Sequence, residues 1–427
     1  MIDEDKFKLM ASQRKFCMAP WVHTYVYPDG IVSPCCQARS ENITLDSELT
    51  PYNCGSLHEN SLSEIWNSEN YKKIRNDLIT QGYSKVCKEC YKNEKLGHYS
   101  MRNLFNEKFF HHAEKIKETK DDGTFEEVNI VYGDFRLSNT CNFKCRMCSP
   151  LLSSSWGSEI EKNKKTFENF FDEFETSLDM NTLDSEKFLK DNEFLFDIVE
   201  EVYFAGGEPL LMDIHYKILK RLIQLKKYHI PISYNTNFST LKYKNINVLD
   251  LWAVFPNLFV GISIEGYGDR GKLIRNGFIW DKFIQNFHEF KKKFPRNNPH
   301  ITPTVQVLNC LHICDLQKKL FELKIINNLE QFDFGLLHSP SYLSVLILTN
   351  SLKEQVRKKV DDHIENFLIP NKVSKTHLQL WNSYKEFISS EDHQYKIPQF
   401  LKYTEELDKI RNENTKETFP ELIELWK

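Results

Sequence analysis

Three cysteines stand close together in Ser138-Asn-Thr-Cys-Asn-Phe-Lys-Cys-Arg-Met-Cys148, spaced Cys-x3-Cys-x2-Cys at Cys141, Cys145 and Cys148. That spacing lets one short loop offer three thiolates to three corners of a cubane iron–sulfur cluster, with one iron left open for another ligand. Four thiolates would complete an electron carrier or a structural site, whereas an open iron is a place for chemistry. A zinc ion that borrows a distant fourth ligand is the competing use of the same thiols. A second segment, Glu201-Val-Tyr-Phe-Ala-Gly-Gly-Glu-Pro209, reads as a short strand running into a Gly-Gly-Glu-Pro turn. Its glycines allow a small ligand to approach the backbone, and its carbonyls and the Glu208 carboxylate suit an ammonium group.

The chain holds eleven cysteines, an odd number that a complete disulfide framework cannot use. Cys17, Cys35, Cys36, Cys54, Cys87 and Cys90 all lie in the first ninety residues, and Cys310 and Cys314 come late. In a reducing compartment, clustered thiols are metal ligands more often than disulfides. The pair Cys87-Lys-Glu-Cys90 has a two-residue spacer that brings both thiolates to one centre. Four converging thiolates would fully ligate a cubane cluster or a zinc ion, and spacing does not separate the two. Cys310 and Cys314 read as packed core thiols near the end of a strand, and His111-His112 as part of a solvated helix face.

Something must position these groups. From about residue 129, short β-rich runs alternate with amphipathic helices: strands at Asn129–Ser138, Glu201–Ala205, Ile230–Asn235, Leu258–Glu265, Ile301–Leu308 and Gln331–Leu337, and helices at Ile214–Lys227 and Asp281–Phe294. Such alternation indicates parallel βαβ units, in an open sheet or a barrel. The acidic, Phe-rich segment Ser153–Asn192 reads as an insertion of one or two helices, and the tail through Leu352–Phe367 and Phe400–Arg411 as helical. With 427 residues the chain is long enough for two or three domains. A net charge of −4 provides no basic field for nucleic acid, which is therefore unsupported as a partner. The charged N-terminus is unlike a signal peptide and no apolar run spans a membrane, so the expectation is a soluble, cytoplasmic protein.

The cysteine loop followed one βα unit later by Gly-Gly-Glu-Pro resembles the radical S-adenosylmethionine (SAM) superfamily over about 129–340. The resemblance implies an α/β fold, a partial (β/α)6 TIM-like barrel, with a [4Fe-4S] cluster on Cys141, Cys145 and Cys148. Met147 fits the apolar position before the last cysteine. SAM would chelate the open iron, with Gly206, Gly207 and Glu208 near its amino group. Reductive cleavage of SAM would then give a 5′-deoxyadenosyl radical that abstracts hydrogen from an unactivated C–H bond. By similarity, Asn235 and Asn237 of Tyr234-Asn-Thr-Asn237, Ser263 and Glu265 of Gly261-Ile-Ser-Ile-Glu-Gly266, and Arg275 line the SAM pocket. Ser263 and Glu265 would share a face through strand alternation, and Asn309 closes the fifth strand comparably. Glu265 stands where relatives often carry Asp. No residue is assigned as catalytic. The run Gly266-Tyr-Gly-Asp-Arg-Gly271 has the letters of a dinucleotide fingerprint, but it follows the fourth strand and does not open a first βαβ unit.

At the N-terminus, Cys17, Gly30 and Cys35, then Asn53-Cys-Gly-Ser-Leu57 leading to Ser61-Leu-Ser-Glu-Ile-Trp-Asn67, resemble the SPASM/twitch auxiliary-cluster domains of peptide-modifying radical SAM enzymes. The resemblance implies an auxiliary [4Fe-4S] cluster on Cys17, Cys35, Cys87 and Cys90. Cys36 and Cys54 are surplus to four and read as buried structural thiols, or, if the cluster has only three fixed thiolates, as a swapped or substrate-facing ligand. In the best-known relatives this domain follows the barrel, whereas here it precedes it. The expected organisation is a cysteine-rich α+β domain over 1–100, a connecting helix over 101–128 running outside the barrel, the barrel over 129–340 and a helical extension over 341–427. The expected activity is hydrogen abstraction from a peptide or protein side chain, with a low-potential donor such as flavodoxin or ferredoxin. The alternatives are a nucleotide, sugar or other small metabolite as substrate, or a non-enzymatic zinc scaffold.

Overall fold

The strand-forming runs of the sequence are realised as short strands. In chain order they are β1 (His23–Val26), β2 (Ile31–Ser33), β3 (Gly55–Ser56), β4 (Tyr132–Phe135), β5 (Lys144–Cys145), β6 (Glu201–Phe204), β7 (Ile232–Thr236), β8 (Lys242–Tyr243), β9 (Ile246–Asn247), β10 (Leu258–Ile262), β11 (Arg275–Asn276), β12 (His300–Ile301), β13 (Thr304–Val305) and β14 (Gly335–Leu336). This computed structural model describes residues 15–39, 52–95, 97, 99–168, 170 and 183–427. The middle of the predicted insertion, 171–182, lies outside the described residues. Two compact units result, one of residues 1–139, 179–233 and 254–257, the other of 140–178, 234–253 and 258–427.

In the first unit, β6, β4 and β1 run parallel, and β1 continues antiparallel through β2 to β3. The N-terminal cysteine-rich segment therefore lends a parallel strand to the sheet that carries the first strand of the βα series. Register places His23 beside Tyr132 and Tyr25 beside Asp134, then Tyr132 beside Glu201 and Asp134 beside Tyr203. Because side chains alternate along a strand, these residues occupy one face. The helix Met101–Phe109 packs on that face, with the Phe105 ring 4.7 Å from His23 and 5.6 Å from Tyr132. On the other face Phe204 meets His215 of the helix Asp213–Gln224 at 4.7 Å. The expected single connecting helix is instead an α-helix that tightens into a 3-10 helix at Phe110–Glu118.

In the second unit β10 pairs in parallel with β12, and β13 with β14. The predicted strand Ile301–Leu308 is broken into β12 and β13 around Pro303, which has no N–H to give a ladder. Strand β10 stops at Ile262, so the alternation expected to carry Ser263 and Glu265 does not reach them. The tail is helical as expected: Asn350–His363 passes into a wide turn at Ile364–Leu368, and Ile397–Arg411 follows later. Between them lies a helix at Lys375–Ser390 that the sequence reading missed. Its buried stripe includes His377 and Ser383 beside Trp381, Tyr384 and Phe387, so polar residues interrupt the apolar period.

Candidate functional site

Cys141, Cys145 and Cys148 lie on one loop of the second unit. Strand β5 at its centre pairs antiparallel with β11, setting Cys145 opposite Arg275 and Lys144 opposite Asn276, and the Arg146 amide donates to the Ile274 carbonyl at 2.8 Å. Downstream serines tie the rest of the loop: Ser153 Oγ donates to the Phe143 carbonyl and Ser155 Oγ to the Cys141 carbonyl, both at 2.6 Å. The indole N–H of Trp156 donates to the Cys145 carbonyl at 3.1 Å. Backbone groups that would otherwise need water are thereby satisfied by side chains.

The polar residues near this loop divide into two kinds. Asn237 donates to Asn142 Oδ1 at 3.0 Å and lies 3.9 Å from Cys141 Sγ, so it faces the loop. Asn235 is exposed on β7, and Ser263 is half-buried. Glu265 and Arg275 are a buried ion pair: Arg275 donates to both Glu265 oxygens, and its Nη1 lies 3.7 Å from Cys145 Sγ. Glu265 also accepts from the Thr304 amide at 3.1 Å. Asn309 is spent on backbone, donating to the Thr304 and Glu265 carbonyls and accepting from the Gln306 amide. Burial pushes the Cys145 thiol up, opposed by the Arg275 charge, and pushes Cys148 up further, with the other two cysteines adding to it.

In the first unit Cys17, Cys35, Cys87 and Cys90 line one small pocket, together with Pro34, Ile74 and Arg102. The β1–β2 hairpin, turning at Gly30, delivers Pro34-Cys35, and a 3-10 turn at Lys85–Cys87 followed by the helix Lys88–Lys95 delivers the other pair. Burial, then the neighbouring Cys87 and Cys90, raise Cys17. Burial and Cys90 push Cys87 up to about 12, and burial leads in raising Cys90 to about 11. Thiols gathered in a desolvated place suppress each other's ionisation, a cost that a shared metal centre removes. The donor set therefore suits a thiolate-bound cluster. Cys36 and Cys54 are not among the lining residues. The Cys54 thiol is pushed up by burial and sits near Arg75 and Ser68.

The turn after β6 belongs to the same unit. Gly206 has φ +113°, and a Cβ there would stand 3.2 Å from Arg136 Cβ and 3.3 Å from the Ser138 carbonyl oxygen, so only glycine is comfortable. The Gly207 amide donates to that carbonyl at 3.4 Å, and the buried Glu208 carboxylate accepts from the Leu210 amide at 3.1 Å. His111 and His112, expected on a solvated face, place their Nε2 atoms 3.1 and 2.9 Å from the two oxygens of Glu200. Cys310 and Cys314 are buried, and Cys310 donates to the Val307 carbonyl at 3.0 Å.

Two family models match these two regions: the iron–sulfur cluster-binding domain named SPASM over residues 17–91, and the radical SAM superfamily over 135–308. The chain carries a radical SAM domain match and an iron–sulfur cluster-binding SPASM match. The two matched domains imply SAM, a SAM-binding [4Fe-4S] cluster and auxiliary iron–sulfur binding. The chain's fold is mixed α/β with parallel-paired strands, a cysteine-rich segment before the radical SAM match in the sequence and helices at the C-terminus. Similar solved structures include Streptococcus suis SuiB bound to S-adenosylmethionine, at 15% identity and a TM-score of 0.34, covering 71% of this chain and 62% of that one. SuiB bound to its precursor peptide SuiA matches at 15% identity and a TM-score of 0.36, covering 69% and 63%. The chain thus spans less than two thirds of the length of either. No curated protein matches it significantly. Among the described residues, no helix is long and apolar enough to cross a membrane.

Proposed function

We propose that this enzyme modifies a peptide or protein side chain, using Cys141, Cys145 and Cys148 to hold the SAM-binding [4Fe-4S] cluster and Cys17, Cys35, Cys87 and Cys90 to hold an auxiliary one. When bound, cluster and SAM supply a 5′-deoxyadenosyl radical able to take a hydrogen atom from an unactivated carbon. The chain's own part is positional. Serine and tryptophan side chains fix the carbonyls of the cysteine loop, and the Glu265–Arg275 pair fixes a cation beside Cys145. Glu265 and Arg275 fit positioning roles better than the direct contact with SAM that the resemblance implies. Gly206, Gly207 and Glu208 are assigned to the amino end of SAM, and Asn235, Asn237 and Ser263 are retained as further SAM contacts.

The observation that carries the peptide reading is the convergence of four thiols in the SPASM domain, since the resemblance ties such domains to peptide-modifying members. The organisation proposed is an auxiliary domain over 1–100, a connector over 101–128, the barrel over 129–340 and a helical extension over 341–427. The enzyme draws electrons from a low-potential donor of flavodoxin or ferredoxin type, and a reducing cytoplasm suits its clustered thiols. The test is anaerobic turnover with SAM, a reductant and peptides encoded near the gene. Formation of 5′-deoxyadenosine together with a mass change in one peptide supports the reading. SAM cleavage coupled only to a nucleotide, sugar or other small metabolite replaces it with the alternative.

A further inference from the structure

The C-terminal helix Ile397–Arg411 ends in a left-handed residue, Asn412 at φ 52° and ψ 49°, which turns the chain back on itself. That turn brings Asp408 and Glu413 to one guanidinium. Arg146, the residue after Cys145, is 1% exposed, and its Nη2 pairs with Asp408 at 2.5 Å and Glu413 at 2.7 Å. Asp408 is itself anchored, accepting from the Thr415 amide and hydroxyl at 2.8 Å each. Glu413 also accepts from Asn276 at 2.9 Å, on the strand that pairs with Lys144-Cys145, and the Tyr403 hydroxyl donates to the Arg146 carbonyl at 2.7 Å.

A second charged bridge lies one helical turn away from Asp408. Arg411, its side chain almost fully buried, pairs with Glu159 at 2.7 Å and lies over the Trp156 ring at 4.5 Å, the ring whose N–H holds the Cys145 carbonyl. Glu159 also receives Lys144 at 2.6 Å. Burial alone would raise the Glu159 carboxyl, but Arg411 and Lys144 together hold it below the usual carboxylate range. Every residue from Lys144 to Arg146 is thus fixed by partners, and two of the charges that do so come from a helix more than two hundred and fifty residues later.

Such a frame exceeds what a surface-packed tail needs. Buried charges are retained at a desolvation cost, and their placement sets the local field. Net charge and hydrogen bonding around an iron–sulfur cluster govern its reduction potential. We propose that Asp408, Arg411 and Glu413 are positioning residues of the cluster site, holding the Cys145-Arg146-Met147-Cys148 turn and setting how readily the cluster accepts an electron. This rests on the assignment of the cluster to Cys141, Cys145 and Cys148.

The test uses the full-length, cluster-loaded protein with the substitutions Asp408→Asn and Arg411→Gln, titrated anaerobically by electron paramagnetic resonance while following the signal that responds to SAM. Replacing Asp408 leaves the Arg146 cation less compensated and favours the reduced cluster, so the potential rises. Replacing Arg411 leaves Glu159 less compensated, so the potential falls, and Arg411→Lys returns it toward wild type. Shifts of opposite sign support the proposal, because a tail that only props up the fold does not sort variants by charge. Unshifted potentials, or shifts of one sign, overturn it. If a variant takes up no cluster, hydrogen exchange of the apoprotein decides: faster exchange confined to residues 141–148 supports the proposal, and unchanged exchange there overturns it. A wild-type protein with no SAM-responsive signal would sink the functional reading first, a result distinct from a normal wild type with unshifted variants.

Discussion

Cys35 and Cys36 are sequence neighbours with different surroundings. Cys35 lines the cavity with Cys17, Cys87 and Cys90. Cys36 is held below the ordinary thiol range, first by a hydrogen bond with Cys35 and, against burial, by Arg136 and Arg39. Cys35→Ala should therefore lose the auxiliary cluster, about four irons per chain, and Cys36→Ala should keep them. Equal iron losses would show that the two share one role. A pH effect belongs to this scale too. Burial lowers His215 from 6.5 to about 3, and His23 to about 4. The unfolded chain binds those protons at higher pH than the folded one, so the contribution is complete above pH 6.5 and drains away as pH falls toward the folded values. At about 1.4 kcal/mol per unit, a fully buried histidine costs about 2 kcal/mol by about pH 5. Denaturation midpoints between neutral and mildly acid pH should fall, and His215→Phe should flatten the slope; an unchanged slope removes His215 from the explanation.

Among elements, the cysteine loop was legible because its spacing is local and its ligand chemistry is strict. The Gly-Gly-Glu-Pro turn was legible for a similar reason: Gly206 occupies a backbone region closed to other residues. Arg146 and its partners were not, because charges at 146, 408 and 413 have no relation until a left-handed turn folds two of them together. Glu265 and Asn309 have the residue types of a pocket, yet tertiary contacts assign them to an ion pair and a turn. One element-scale prediction concerns Gly277, which follows β11 at φ +109°; a Cβ there would stand 2.7 Å from the Phe143 ring and 3.0 Å from the Asn142 carbonyl oxygen. Gly277→Ala should destabilise by about 1–3 kcal/mol, read as a lowered urea midpoint, and should loosen cluster retention. A midpoint equal to wild type would mean that the loop yields freely.

For the molecule, the domain boundary in the sequence is not a boundary in the sheet. Residues 17–91 match the auxiliary domain, yet β1 within them pairs in parallel with β4, the strand leading to the cysteine loop. A chain lacking residues 1–100 would leave β4 with an open edge and strip cover from Tyr132, so it should aggregate where the full chain does not; a monomeric, cooperatively melting truncation would contradict this. That pairing was beyond the sequence because register between distant segments has no local signature. The central claim is that one chain carries two separate cluster sites with different work. Anaerobic iron counting alongside SAM cleavage tests it most directly. The wild type should hold about eight irons and Cys145→Ala and Cys17→Ala about four each, with 5′-deoxyadenosine formation abolished in the first variant and retained in the second. Zinc in place of iron, or SAM cleavage that survives Cys145→Ala, would contradict it.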